Sequence, residues 1–316
     1  MNAAANDRIG SVLLHGSALS EADAPGFRKI REIIGAAGAA CRFTATFHPS
    51  LSALGLDAPG DEVVGAGDIG TSASDLVLTF GGDGTVLETA ALLNGRPIPV
   101  LGVNTGRLGF LSHLSMADAG AHLADILAGS YTVERRAMLE VDFPSEELGT
   151  HRCALNEVTV HRRDVASMIR VSVRRNGVFV NRYWSDGLIV STATGSTAYS
   201  LSCGGPIIHP DSNAIVLNPI APHNLHDRPV VIPLDGTLEI EAEGRDDHLM
   251  LTLDTRSHTV AAPARFTVRP AAEPFLLVQL PGVDFIETVR RKLHLGLDGR
   301  EGVPGADGQE NTPGSR

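Results

Sequence analysis

The pattern of apolar and polar residues changes character at about residue 132. Before that point, short apolar runs that predict buried strands alternate with amphipathic runs that predict helices. The predicted strands cover residues 10–14, 45–47, 75–80 and 98–103, and the predicted helices cover residues 27–37, 86–93 and 116–127. Continuous apolar strands separated by helices are typical of a parallel sheet covered on both faces. Residues 1–132 are therefore predicted to form an α/β domain.

Beyond residue 132 the helical patterns nearly vanish. Residues 169–174 alternate apolar and polar side chains one by one, which predicts a half-buried strand, and Asn176-Gly177 is a strong hairpin signal. Further strands are predicted at residues 178–180, 238–243, 249–253, 266–268 and 275–280. This pattern predicts a β-rich second domain over residues 133–282.

The C-terminal residues predict one more helix and then a tail. A helix is predicted over residues 283–297, because Asp284 can cap it, Glu287 lies in its first turn, and basic residues at 290–294 complement its negative C-terminal end. Residues 298–316 are rich in Gly, Asp, Glu and Pro and have almost no apolar side chain to bury. This composition predicts a disordered tail.

A glycine-rich loop, Gly81-Gly-Asp-Gly-Thr85, joins a predicted strand to a predicted helix. Glycines let the backbone approach a bulky anion, and the N–H groups at the start of the helix form a positive concavity for phosphate. The presence of Asp83 in this loop indicates phosphoryl transfer as the function. Alternatively, Asp83 could simply cap the helix. The segment 104–110 also follows a predicted strand, and ligands of parallel sheets bind at the carboxyl ends of the strands. We expect the two loops to line one crevice.

Composition and charge narrow the classes of partner. The net charge of −11 argues against nucleic acid as a partner, because a nucleic-acid-binding protein needs a basic face. No apolar run approaches the ~20 residues that span a bilayer.

The N-terminus lacks the features of a secretory signal. Three scattered cysteines fit free thiols in a reducing cytosol, so we expect a cytoplasmic protein. Histidine, cysteine and acidic residues show no metal-site spacing, and no protein-held metal is expected.

Two segments of the second domain carry unusual polar residues. Asn156 and Glu157 stand at the mouth of an apolar strand, where they could bind a sugar diol or form a strand entrance exposed to water. Farther on, the strand at 188–190 runs into eight hydroxyl side chains between Ser191 and Ser202. A flexible linker is the alternative for such a composition, but the apolar side chains within and after it favour a ligand-binding loop.

Taken together, these motifs resemble the NAD kinase family. The glycine-rich loop is shared with diacylglycerol and sphingosine kinases and with relatives of phosphofructokinase. Motifs similar to NAD kinase in particular lie at residues 156–157, 185–188, 194–202, 204–206 and 219–229. The resemblance implies a Rossmann-like parallel-sheet N-terminal domain, an all-β C-terminal domain, and a homotetramer or homodimer.

The implied reaction transfers the γ-phosphate of ATP to the 2′-hydroxyl of the adenosine ribose of NAD and gives NADP. The phosphates of ATP need a divalent metal, for which Mg²⁺ is the best candidate because it keeps much of its own water and requires few protein ligands. The chain has neither a P-loop nor a Gly-x-Gly-x-x-Gly fingerprint, which disfavours P-loop kinases and dehydrogenases.

The resemblance also implies roles for single residues. Asp83 matches the family's proposed general base, which is hydrogen-bonded to the attacking ribose hydroxyl. Asp186 matches an NAD-contacting acid that in some members reaches the site of a neighbouring subunit. The other matched positions, all implied to contact the dinucleotide, are Gly84, Phe110, Asn156, Glu157, Thr197, Ala198, Tyr199 and Ser202.

The chain departs from the family pattern at two positions. Ala193 stands where the family usually has Pro, and Arg256 stands where many members have Gln. Arg256 is expected either to contact a phosphate or carboxylate of the ligand or to turn outward into a salt bridge. Two other functions stay open at this point. These are a lipid kinase of the diacylglycerol type and a dinucleotide sensor without turnover.

Overall fold

The computed structural model describes residues 4–5 (backbone only), 8–65, 69, 74–106, 109–112, 114–144, 146–164, 167–280, 282 and 284–295. The described residues divide into two compact units, one ending at Leu280 and the other beginning after it. The predicted tail at 298–316 lies outside the described residues. No helix in the described part of the chain has the length and apolar character needed to cross a membrane.

The structure combines short helices with many strands. The α-helices are α1 (Ala24–Ala36), α2 (His48–Ala53), α3 (Asp83–Leu93), α4 (Ala119–Leu127), α5 (Tyr199–Ser202) and α6 (Phe285–Leu293), and 3₁₀ turns cover Glu21–Asp23, Glu146–Leu148 and Thr194–Thr197. The strands are β1 (Ala4–Ala5), β2 (Ser11–Gly16), β3 (Ala40–Thr44), β4 (Glu62–Val64), β5 (Leu76–Phe80), β6 (Val100–Asn104), β7 (Leu114–Ser115), β8 (Tyr131–Arg136), β9 (Leu139–Asp142), β10 (Cys153–Ala154), β11 (Glu157–Arg162), β12 (Ile169–Arg175), β13 (Val178–Ser185), β14 (Gly187–Thr192), β15 (Ala214–Ile220), β16 (Val230–Pro233), β17 (Leu238–Glu243), β18 (His248–Leu253), β19 (Arg256–Ala261), β20 (Ala264–Pro270) and β21 (Phe275–Gln279).

The first sheet is mostly parallel. Its strand order is β1-β8-β21-β6-β5-β2-β3-β4, with β7 paired to β6, and the central strands β2, β5 and β6 are buried along their whole length. The predicted parallel sheet is therefore confirmed. The predicted weak strand at 45–47 is wrong, because the strand β3 ends at Thr44 and the chain turns there into α2.

The second part of the chain forms two antiparallel six-stranded sheets. Their orders are β10-β9-β20-β17-β12-β13 and β16-β15-β14-β11-β18-β19. Apolar side chains of both sheets, such as Val171 and Ile240 of the first and Val160 and Leu251 of the second, share one core, as expected for a β-sandwich. The predicted β-rich architecture is confirmed.

The hairpin predicted at Asn176-Gly177 is present. Both residues have positive φ angles, 49° and 78°, as a type I′ turn requires, and they connect β12 to β13. Burial alternates along β12 as the sequence pattern predicted.

The strand β21 differs from its expected position. The sequence grouped residues 275–280 with the β-rich region, but β21 pairs with β6 and β8 of the first sheet. An apolar run such as Phe275 to Val278 predicts that the strand is buried, but it does not specify which sheet the strand joins. The predicted division after residue 132 falls within β8, and this domain boundary stays a prediction.

The second unit contains the predicted final helix, α6. Asp284 accepts a hydrogen bond from the N–H of Glu287 at 3.0 Å, and Arg290, Arg291 and Lys292 lie in the last turn. The predicted cap and the predicted charge pattern are both confirmed.

Candidate active site

The glycine-rich loop follows directly from the end of β5. Gly81 has a φ of 152°, and a Cβ there would lie 2.2 Å from Oγ1 of Thr85, so only glycine fits this turn. Gly82 is the N-cap of α3, and Asp83 is its first residue. Because the first N–H groups of a helix have no acceptor within the helix, this end of α3 is suited to bind phosphate.

Asp83 does not serve as the helix cap. Its carboxylate reaches instead to the loop after β6, where Oδ2 accepts from the N–H of Phe110 at 2.7 Å. Oδ1 accepts from the N–H groups of Leu111 and Ser112 at 2.9 and 3.2 Å and from Oγ of Ser112 at 3.3 Å. The capping alternative is therefore wrong. These bonds bring the glycine-rich loop and the loop after β6 together, as the prediction of a shared crevice requires.

The loop that holds Asp83 is itself anchored at the end of β6. The side-chain amide of Asn104 donates to Oγ of Ser112 at 3.0 Å, and its carbonyl oxygen accepts from the N–H of Gly106 at 2.7 Å. A Cβ on Gly109 would lie 1.7 Å from Oδ1 of Asp83. The carboxylate is half-buried and held in one orientation.

Asn156 and Glu157 lie between β10 and the start of β11. Each is only 8% exposed, so the alternative of a strand entrance open to water is wrong. Among the described residues, neither Oδ1 of Asn156 nor Oε2 of Glu157 has a hydrogen-bond partner. Buried polar atoms are nearly always hydrogen-bonded, so these two oxygen atoms are available to a ligand or to water.

The charge state of Glu157 differs from that of an ordinary carboxylate. Burial raises the pKa of Glu157 to about 8, and the nearby carboxylate of Asp254 contributes to the rise. An ionised glutamate would only accept hydrogen bonds. A carboxyl with this pKa keeps its proton at neutral pH and can also donate a hydrogen bond.

Sequence reasoning missed the structural role of Asp254. This residue lies in the turn between β18 and β19 with a φ of 52°. Its carboxylate accepts from the main-chain N–H groups of Leu155, Asn156 and Glu157 at 2.7, 2.8 and 3.1 Å. The available signal was an aspartate between two strands, because Asp tolerates the left-handed conformation better than most residues.

The hydroxyl-rich segment packs against Asn156 rather than forming a linker. Oγ1 of Thr192 donates to the carbonyl of Leu155 at 2.7 Å, and the N–H of Thr192 donates to the carbonyl of Asn156 at 2.8 Å. A Cβ on Gly195 would lie 2.2 Å from that carbonyl oxygen of Asn156. The segment then forms the 3₁₀ turn Thr194–Thr197 and the helix α5, where the sequence predicted only a loop.

The remaining predicted residues differ in exposure. Thr197, Ala198 and Phe110 are half-buried, whereas Gly84, Tyr199 and Ser202 are exposed. Asp186 is half-buried, and its Oδ2 accepts from the guanidinium of Arg162 at 2.8 Å.

Arg256 turns inward. Its guanidinium donates to the carbonyl oxygens of His151 and Cys153, at 2.5 Å each, rather than forming the outward salt bridge that the sequence left open. A contact from Arg256 to the ligand stays a prediction.

One apolar cluster links the two halves of the site. Leu87 of α3, Leu111 beside Asp83 and Leu155 beside Asn156 are all buried in it. In addition, the guanidinium of Arg136 lies 3.5 Å from Oγ1 of Thr194. The carboxylate of Asp83 and the Asn156–Glu157 pair thus belong to elements that pack on one another.

Two family models match most of the chain. The ATP-NAD kinase N-terminal domain matches residues 39–131, and the ATP-NAD kinase C-terminal domain matches residues 155–280. The chain belongs to the NAD kinase family. Its activity is that of the family, a phosphotransferase reaction that converts NAD into NADP, and the lipid kinase alternative loses its support.

Curated NAD kinases from several bacteria are similar over most of their length. The NAD kinase of Cytophaga hutchinsonii is 40% identical over 226 residues, which cover 72% of this chain and 77% of the relative. The NAD kinase of Bacteroides fragilis is 38% identical over 273 residues, which cover 86% of this chain and 92% of the relative.

Solved structures of the family share the fold. Yeast NADH kinase in complex with NADH superposes with a TM-score of 0.81 at 22% identity, covering 92% of this chain and 89% of that one. The NAD kinase of Archaeoglobus fulgidus in complex with ATP gives a TM-score of 0.68 at 25% identity, covering 90% of this chain and 98% of that one. The predicted fold class and family are confirmed.

Proposed function

We propose that this enzyme transfers the γ-phosphoryl group of ATP to the 2′-hydroxyl of the adenosine ribose of NAD, with Asp83 as the general base. The observation that carries this proposal is the position of the Asp83 carboxylate. It lies at the N-terminus of α3 and is fixed there by main-chain N–H groups of the neighbouring loop. The carboxylate that would accept the proton is therefore next to the helix N-terminus that would bind phosphate.

The chemistry of the reaction suits this arrangement. A ribose hydroxyl is a weak nucleophile, and a carboxylate within hydrogen-bond reach can accept its proton as the new O–P bond forms. The N–H groups at the start of α3, including that of Gly84, would bind the phosphoryl oxygens. Because most of the barrier in phosphoryl transfer is lowered by positioning and charge neutralisation, a rigid Asp83 is an advantage.

The second half of the site would hold the dinucleotide. Asn156 and Glu157 present buried oxygen atoms that lack partners among the described residues, and a ribose with its neighbouring groups can supply those partners. We propose that Thr197, Ala198, Tyr199, Ser202 and Phe110 line the rest of the pocket and that Asp186 contacts NAD. The solved structures of similar fold, which contain NADH in one case and ATP in the other, support the two classes of ligand.

The divalent metal of the proposed reaction is bound to ATP, the phosphoryl donor. In the part of the chain that the structure describes, no group of three or more His, Cys, Asp or Glu side chains could hold a metal ion. The described residues therefore do not supply a set of side chains that would hold the metal without ATP. We propose that Mg²⁺ comes as the ATP complex, since this ion is commonly held by phosphates and water with few protein ligands.

We further propose a homodimer or homotetramer that works in the cytoplasm. Most soluble oligomers are built from identical chains, and the resemblance to the family implies that an acid at the position of Asp186 can reach the site of a neighbouring subunit. Light scattering on the purified protein would give the number of subunits.

The activity is tested by incubating the purified protein with NAD, ATP and Mg²⁺ and measuring NADP with an NADP-specific dehydrogenase. Turnover that depends on both NAD and ATP is the expected result. NAD binding without any NADP would support the sensor alternative and overturn the proposal. Inorganic polyphosphate replaces ATP in a parallel reaction, and its use would change the identity of the donor only.

A further inference from the structure

We propose that Asp254 is a positioning residue for the substrate-binding pair Asn156 and Glu157. Its carboxylate fixes the main chain from which both side chains project, and its charge, added to the burial of Glu157, leads Glu157 to bind the dinucleotide as a neutral acid. This inference rests on the proposed function, in which Asn156 and Glu157 hold NAD.

The geometry of the turn supports the first part of the proposal. Oδ2 of Asp254 accepts from the N–H of Leu155, and Oδ1 accepts from the N–H groups of Asn156 and Glu157. In return, the N–H of Asp254 donates to the carbonyl of Glu157 at 3.0 Å. The turn between β18 and β19 therefore holds the entrance of β11 by four hydrogen bonds.

The same contacts decide which of the two acids carries the proton. Burial raises the pKa of Asp254, and the three main-chain N–H donors that it receives oppose this rise because they stabilise the ionised form. Oε2 of Glu157 has no partner among the described residues, and burial raises the pKa of this group to about 8. The hydrogen bonds therefore favour the negative charge on Asp254, which has three N–H donors, and the proton on Glu157, whose Oε2 has none among the described residues.

The surrounding charged and titratable groups support this assignment. Arg256 lies close to Asp254, and its positive charge opposes the rise that burial causes in the pKa of that carboxyl. Tyr199 and Cys203 also interact electrostatically with Glu157, and burial raises the pKa of both, so that they stay uncharged at neutral pH. None of these groups supplies a positive charge to Glu157 itself.

A neutral Glu157 changes what the site can recognise. An ionised carboxylate only accepts hydrogen bonds, whereas the neutral acid can donate one to a ribose oxygen or a ring nitrogen. It also avoids placing a negative charge beside a dinucleotide that carries a diphosphate. NAD should therefore bind more weakly as the pH rises through about 8, where Glu157 loses its proton.

The test measures the dissociation constant of NAD by calorimetry, between about pH 6 and about pH 9.5, for the wild type, Glu157→Gln and Asp254→Asn. In the wild type, affinity should fall by up to about tenfold per pH unit above the break near pH 8. Glu157→Gln should bind without this break, because its amide donates a hydrogen bond at every pH. Asp254→Asn should bind more weakly at all pH values and show the break at a lower pH, because a negative charge near Glu157 is gone.

Several outcomes would overturn the inference. One is a break that persists in Glu157→Gln, and another is an Asp254→Asn protein with wild-type affinity and the wild-type break. If Asp254→Asn does not fold, the comparison of Glu157→Gln with the wild type still tests the neutral acid. NADP formation by the wild type at about pH 7 is measured separately, so that failure of the kinase reaction is distinguished from failure of this inference.

Discussion

Gly109 and Asp83 approach so closely that a side chain on the glycine would displace the carboxylate. A Cβ at residue 109 would lie 1.7 Å from Oδ1 of Asp83 and 2.5 Å from Oγ of Ser112. Gly109→Ala should therefore lower kcat by about 10²–10⁴-fold, the usual contribution of a general base. Steady-state NADP formation measures the effect. Gly35→Ala is the control, because a Cβ there meets nothing within 4 Å, and wild-type kcat in Gly109→Ala would contradict the proposed role of Asp83.

Gly195 has a similar relation to the dinucleotide-binding half of the site. A Cβ at this position would lie 2.2 Å from the carbonyl oxygen of Asn156. Because this oxygen belongs to the main chain, it cannot move aside as the end of a flexible side chain could. Gly195→Ala should raise KM for NAD by about tenfold or more, because displaced polar partners typically cost over 1 kcal/mol. An unchanged KM in a protein with a lowered Tm would assign Gly195 to stability alone.

Arg256→Gln separates a structural role from a contact with the ligand. Because the guanidinium holds the carbonyls of His151 and Cys153, its removal should lower the free energy of unfolding by about 2 kcal/mol, with KM for NAD changing less than about threefold. Denaturant unfolding and steady-state kinetics give the two numbers. A tenfold higher KM at unchanged stability would instead show the ligand contact that the sequence suggested.

His15 should make the protein sensitive to mild acid. It is 4% exposed, its Nδ1 lies 3.0 Å from Oγ1 of Thr44, and burial lowers its pKa to about 4. The folded state therefore binds this proton less readily than the unfolded state, where the pKa is about 6.5. Stability is fully present above about pH 6.5 and is lost as the pH falls toward about 4, by up to about 1.4 kcal/mol per unit.

Urea unfolding at several pH values in this window tests His15. His15→Asn keeps a polar atom near Thr44 and should show a weaker loss of stability on acidification than the wild type. The exposed His248, changed to Asn, is the matched control and should leave the pH dependence as it is. Equal slopes for His15→Asn and the wild type would contradict the assignment.

Local patterns in the sequence predicted those parts of the fold that local forces decide. The Asn176-Gly177 turn follows from the φ angles it needs, and the capped helix α6 follows from Asp284 and the basic last turn. The pairing of β21 with β6 joins residues far apart in the chain, and its apolar pattern fits either sheet. Periodicity alone could not choose between them.

The candidate site shows the same division. The loop around Asp83 and the pair Asn156–Glu157 were recognisable as motifs. The hydrogen bond that the N–H of Leu155 donates to Asp254 joins residues 99 positions apart, and the proton on Glu157 depends on burial and on that distant carboxylate. Both properties arise from tertiary packing, which neither residue type nor spacing encodes locally.

The most direct test of the account is the rate of NADP formation by Asp83→Asn with NAD, ATP and Mg²⁺, measured beside the affinity for NAD. Glu88→Gln is the control, because Glu88 is an exposed acid on the same helix. The account predicts that kcat falls by about 10²–10⁴-fold in Asp83→Asn, with NAD affinity within about threefold of the wild type and Glu88→Gln unaffected. An Asp83→Asn enzyme that keeps more than about half of the wild-type kcat would contradict the assignment of Asp83 as the general base.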